Sequence, residues 1–187
     1  MKAIMKSVSP RICEKVANGD CTILVSKTAP KCKVPFKGYI CCTNAKPYLY
    51  REANPPFELF LDSDLYEGEG YDDRLFSGKV IGEFICYKVD KYTFSHYEAE
   101  YRVTHVEQNA MCLNQPELIH YGKGKPLYGL HISDLKIYDK PKELSGFRKP
   151  CKITLPMCDR CEYYSTWNGR CENITRAPQG WCYVEEL

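Results

Sequence analysis

Twelve cysteines in 187 residues are the densest supply of reactive side chains in this sequence. Five lie between Cys151 and Cys182, and four of them, Cys158, Cys161, Cys171 and Cys182, form a C-x2-C-x9-C-x10-C series that begins with a CxxC pair. Four thiolates can close a tetrahedral Zn²⁺ shell, and a segment too short for its own core needs such a staple. The expected cofactor is therefore a structural zinc, with Cys151 able to replace any one of the four. Packed reduced thiols and a redox or disulfide role remain the alternatives. A thioredoxin-like reading is weak, because the CxxC follows Pro156-Met157 and opens no helix of a βαβ unit.

A second group of functional side chains follows Asn18-Gly19 in the stretch NGDCTILVSKTAPKCK. Thr22 and Ser26 offer hydroxyls, and Lys27, Lys31 and Lys33 offer ammonium groups suited to an anionic ligand. Cys21 would be a nucleophile only if a neighbour such as Lys27 or His131 lowered its pKa; otherwise it is an inert thiol at an edge strand. Glu83 stands among apolar neighbours, so it lies either at a sheet edge in water or in a pocket with a partner. His96, His105, His120 and His131 are scattered, and none makes an HxxxH or HExxH pattern. GxSxG, P-loop and dinucleotide fingerprints are absent too.

Apolar residues make up 44% of the chain and charged residues 27%, values of a globular domain. The net charge of +2 is too small to advertise a non-specific nucleic-acid binder. Its distribution is uneven. Residues 1–49 carry nine Lys/Arg against two acids, whereas residues 50–73 carry one Arg against eight acids. This polarity suits an anionic ligand on one side, and equally suits two solvated surfaces that partly neutralise each other. Met1 to Pro10 lacks a signal-peptide run, and no stretch approaches the roughly 20 apolar residues of a membrane span. A cytoplasmic protein with reduced cysteines and no membrane partner is expected.

Several elements must position these groups. Ser9-Pro10 starts a short helix that ends near Asn18-Gly19. Cys21 to Ser26 is rich in β-formers, and Phe36 to Thr43 reads as a strand buried on both faces. Lys79 to Val89 alternates best of all. Residues 44–77 form a long acidic insertion, with poor order expected around Glu67 to Asp72. Asp90 to His105 shows no clear period, Asn114 caps a helix that Gly122 ends, and Leu127 to Ile132 with Leu135 to Tyr138 read as a strand pair. Strands and short helices without βαβ regularity give an α+β class and a small mixed barrel.

The order of these pieces resembles the ASCH domain, a branch of the PUA-like β-barrel superfamily. The matching residues are the N-terminal helix into Asn18-Gly19, Thr22-Ile23, the KTAPK loop at Lys27 to Lys31, Phe36 to Thr43, GKVIGEF at Gly78 to Phe84, and YGLHISDLKIYDKPKEL at Tyr128 to Leu144. The final PQGWCYVEEL resembles the ending of phage and prophage members. The resemblance implies an ASCH/PUA-like domain at 1–148 and a cysteine-rich tail at 149–187. It also implies binding of RNA or a modified nucleoside in a cleft beside the barrel.

The family signature Gly-x-Lys-x-x-Glu-x-Arg falls on Gly19, Cys21, Leu24 and Ser26, so only its glycine is kept. Some members remove acetyl from N4-acetylcytidine with a lysine, a threonine and a glutamate, positions that fall here on Cys21, Leu24 and Asn109. A leucine cannot activate a nucleophile, nor can an asparagine act as general base.

The first reading is thus a non-catalytic module for RNA or a nucleoside-like anionic ligand. It would use Cys21, Thr22, Ser26, Lys27, Lys31, Glu83 and His131, with Tyr and Trp rings for stacking. The alternatives are a hydrolase with a remodelled site, acting on RNA or a modified nucleoside, and a phage-encoded module that contacts a host protein.

Overall fold

The computed structural model describes residues 3–51, 57–60, 74–150 and 173–187. Strand β1 (Ala3–Val8) leads into helix α1 (Pro10–Ala17). Pro10 opens the helix as the sequence indicates, although the Ser9 hydroxyl makes no capping bond. Gly19, at φ +87°, takes the left-handed turn that releases the chain toward β2 (Ile23–Ser26). There follow β3 (Phe36–Cys42), β4 (Tyr48–Arg51), β5 (Phe57–Phe60), β6 (Val80–Tyr92), β7 (Phe94–Ser95) and β8 (Glu100–Tyr101). Helices α2 (His105–Met111) and α3 (Gln115–Gly122) precede β9 (Leu127–Lys142), β10 (Phe147–Arg148) and β11 (Trp181–Glu186).

Seven strands form one sheet in the order β10-β11-β1-β3-β6-β9-β2. β1 and β3 run parallel, and the other neighbours are antiparallel. Register shifts interrupt the long β6–β9 ladder three times, and such bulges bend and twist a sheet. The sheet curls over its core. β2 is four places from β1 in the strand order, yet Leu24 shares one buried cluster with Ile4, Val8 and the α1 residues Cys13 and Val16. The opposite face of β1 buries Ala3 and Met5 with Tyr39, Tyr138 and Phe147. A third cluster joins β9 to α2 and α3 through Ile23, Met111, Leu118 and Leu127. Packing between the central strands is close: a Cβ on Gly38 would meet the Phe84 ring at 2.2 Å.

Three elements differ from expectation. The strand pair at Leu127 to Tyr138 is one continuous strand, because Asp134 adopts φ +48° and makes a bulge instead of a turn. The segment without period holds the β7–β8 ribbon and the start of α2, whose Thr104 and Glu107 form a reciprocal capping box. Residues 181–186, expected within the tail, form β11 between β10 and β1. Within the acidic insertion, β4 and β5 pair beside α1. The expected loose turn at Glu67 to Asp72 lies outside the described residues, as do Cys151, Cys158, Cys161 and Cys171.

Candidate ligand-binding groove

Residues 27–35 carry three of the chain's lysines in a loop that two rings of β11 hold down. Trp181 Nε1 donates to the Thr28 carbonyl at 3.0 Å and to its hydroxyl at 2.9 Å. The Lys31 backbone N–H donates to the Tyr183 hydroxyl at 2.9 Å. Held in this way, the loop forms one wall of an open groove of about 620 Å³, facing Val89 and Lys91 of β6 and Tyr128 of β9. Lys33, Lys91 and the Tyr128 ring line it together with Pro30 and Val34, and the described lining carries no carboxylate. Two ammonium groups and one phenol ring can meet a phosphate and stack on a planar base. Lys27, on the same loop, sits 4.7 Å from the centre of the Tyr121 ring.

A smaller cavity, about 240 Å³, opens between β1, β2 and the helices. Its walls are chiefly apolar, among them Ile12, Ile23, Leu24 and Met111, with Tyr121 at one side. Lys6 reaches this cavity from β1 although the residue is only 3% exposed. Its Nζ donates to the Ser7 carbonyl at 3.2 Å. Burial strips the ammonium of water and lowers its pKa from 10.5 to about 8. In the sequence Lys6 is one of the nine basic residues of the 1–49 segment. The signal was its alternation with Ile4 and Val8, which puts a lysine on the core face of an apolar strand.

The residues expected at the site separate into four places. Lys27 and Lys31 are exposed on the loop, and Ser26 is buried opposite Tyr128 in the β2–β9 pair. Thr22 is exposed, with its backbone N–H donating to Ala110 and its carbonyl accepting from Ile132. Cys21 is 1% exposed, and its thiol contacts the carbonyls of Ile23 and Met111 at 3.6 Å. Burial, reinforced by the neighbouring Cys112, pushes this thiol up to about 12, the opposite of what a nucleophile needs.

Glu83 and His131 lie elsewhere. β6 is an interior strand, so Glu83 is at no sheet edge. Its carboxylate accepts from Tyr138 at 2.8 Å and pairs with Lys37 at 2.9 Å, on the face that buries Tyr39. Burial pushes its pKa upward, and these hydrogen bonds outweigh that and hold it below the usual range. His131 Nε2 lies 2.8 Å from Asp90, which also pairs with Lys88 at 2.6 Å, and the Tyr87 ring covers the imidazole edge. Neither residue lines the groove or the cavity. Cys182 sits in β11 opposite Met5, half-buried against the β1 core. Cys21 and Leu24, on which the resemblance places a lysine and a threonine, are buried, while Asn109 is exposed on α2.

No family model and no curated protein matches the sequence. Among solved structures, the chain is similar to a serine-to-alanine mutant of the ASCH protein from Zymomonas mobilis. The TM-score is 0.53 at 10% identity, covering 98% of this chain and 88% of that one. A tyrosine-to-phenylalanine mutant from the same organism gives 0.47 at 11% identity, covering 99% and 91%. A further ASCH structure from that organism gives 0.42 at 11%, covering 98% and 87%. No helix among the described residues is long and apolar enough to cross a membrane. With its curled seven-stranded sheet and short helices, the chain has a mixed α+β fold similar to that of the ASCH serine-to-alanine mutant.

Proposed function

We propose that this chain is a non-catalytic binding module of the ASCH type for RNA or a nucleoside-like anionic ligand. The observation that carries the reading is the groove between the 27–35 loop and β6, where Lys33, Lys91 and Tyr128 converge with no carboxylate among the described lining residues. Lys27 and Lys31 extend the positive surface along the loop. Burial of Cys21 and Leu24 supports binding over hydrolysis. Fluorescence anisotropy with a short single-stranded RNA over a range of salt tests it. Affinity falls as salt rises, and Lys33→Ala with Lys91→Ala flattens the slope by about 0.7 per lost phosphate contact. Binding indifferent to salt, or turnover of the RNA or of acetylated cytidine, refutes the reading.

A structural zinc in the cysteine-rich segment is a separate proposal, supported by the spacing of Cys158, Cys161 and Cys171. The fourth ligand is Cys182 or Cys151. One feature favours Cys151: Cys182 sits in β11 opposite Met5, half-buried against the β1 core.

A further inference from the structure

We propose that the cavity beneath Lys6 is a carbonyl-capture site, where the Lys6 amine forms an imine with a small aldehyde carrying an anionic group. This goes beyond the groove and stands on a different cavity, with Lys27 the one residue the two readings share. A lysine buried to 3% exposure is ordinarily matched by a carboxylate, since an unpaired buried charge is costly. Here no described carboxylate pairs with it or lines the cavity. Its ammonium meets the Ser7 carbonyl instead. A desolvated lysine facing an accessible, apolar space is the arrangement that makes an amine nucleophilic near neutrality.

The surroundings select the ligand. A volume of about 240 Å³ exceeds the ~150 Å³ cavity that admits benzene, so a planar ring fits between Ile12, Leu24 and Met111. Tyr121 forms part of the wall and Lys27 lies over its ring, so a cation sits within reach of this side of the cavity and favours a ligand with an anionic substituent. Ser9 lines the same cavity, and its hydroxyl is not used to cap α1.

The chemistry is balanced without a redox partner. The Nζ lone pair forms a C–N bond to the aldehyde carbon, and the carbonyl oxygen takes up the proton that nitrogen releases. That oxygen then leaves as water with a second proton from nitrogen, leaving C=N. Ser9, which lines the cavity and is exposed to solvent, supplies a hydroxyl that can exchange these protons with water.

Among the described residues, two titratable groups are near Lys6. Cys13 on α1 acts on it electrostatically, and Tyr121 on α3 shares the cavity. Its register partners, Ile40 on β3 and Trp181 on β11, carry no charge.

The test uses the full chain, pyridoxal 5′-phosphate as the aldehyde, borohydride to reduce the imine, and peptide mass mapping over a pH series. The expected result is preferential labelling of Lys6, with a rate that rises up to about pH 8 and then levels. Lys6→Met loses this adduct. If that variant does not fold, competition on the wild type decides: 4-carboxybenzaldehyde blocks labelling of Lys6, and benzoate, which lacks the aldehyde, does not. Labelling confined to exposed lysines such as Lys125 overturns the proposal. So does a Lys6 rate still climbing toward pH 10.5, or equal protection by benzoate, which would mark a simple anion pocket.

Discussion

Trp181 and Thr28 are 153 residues apart in sequence, yet one indole N–H bridges to both the carbonyl and the hydroxyl of the threonine. Tyr183, two positions along the same strand, repeats the arrangement by accepting from the Lys31 backbone. The two rings meet edge to face at 5.2 Å, so the clamp is itself packed. The end of the described chain therefore shapes the basic loop near its beginning. β11 can do this because it pairs with β1, whose inner face borders the cavity at Lys6.

Trp181→Phe keeps an aromatic ring on β11 and removes both hydrogen bonds. The expected cost is about 1 kcal/mol of stability, read from a urea midpoint, because the bonds are solvent-exposed. Exchange of the backbone amides in residues 27–35 rises, and RNA affinity falls several-fold as the groove wall loosens. Unchanged exchange in that loop would show that the indole does not hold it.

Lys6 makes stability depend on pH in a direction opposite to that of a salt-bridged lysine. In the folded chain it gives up its proton near pH 8, and in the unfolded chain near 10.5. Between these values the unfolded state binds more protons, so the Lys6 contribution improves as pH rises. Lys6→Met is therefore more stable than wild type at pH 7, by up to about 3 kcal/mol, and the gap narrows from about pH 8 to 10.5. Urea titrations of both proteins over this range check it. A gap that does not change with pH would mean Lys6 is not desolvated.

The elements around the site were legible because each carries a local signal. Ser9-Pro10, the Asn18-Gly19 turn and the alternation of residues 80–89 mark α1, the start of β2 and β6 without tertiary information. The functional constellation was less legible. Lys91 and Tyr128 join Lys33 only through the β6–β9 register, which depends on three bulges that alternation does not announce. Glu83 and His131 looked available because charged residues in strands suggest sites. Their partners, Lys37 and Tyr138 in one case and Asp90 in the other, come from adjacent strands and use their polar atoms structurally. Cys21 shows the converse: a reactive residue type becomes inert once α2 packs over it.

Glu83→Ala separates structure from binding. It leaves the Lys37 ammonium and the Tyr138 hydroxyl without this carboxylate and lowers stability by about 1 to 2 kcal/mol, discounted because the pair is partly exposed. RNA affinity stays within about twofold, since Glu83 is on the face away from the groove. The folded carboxyl titrates below its ordinary value of 4.5. Its contribution is thus fully present above that pH and is lost as pH falls through the folded value. The acid limb of the variant's stability curve is accordingly shallower, which acid titration followed by circular dichroism measures.

The zinc proposal gives the cysteines distinguishable roles. Chain purified without added metal carries about one zinc by atomic emission analysis, as a four-thiolate site requires. Cys158→Ser and Cys161→Ser lose it, because the remaining thiolates no longer close the shell. Cys182 is opposite Met5 in β11, and a thiolate there would have to form within the sheet. Cys182→Ser therefore retains the metal while Cys151→Ser releases it. The reverse pattern would assign the fourth ligand to Cys182 and tie the metal to the strand that clamps the basic loop, so that a chelator would loosen residues 27–35 as Trp181→Phe does.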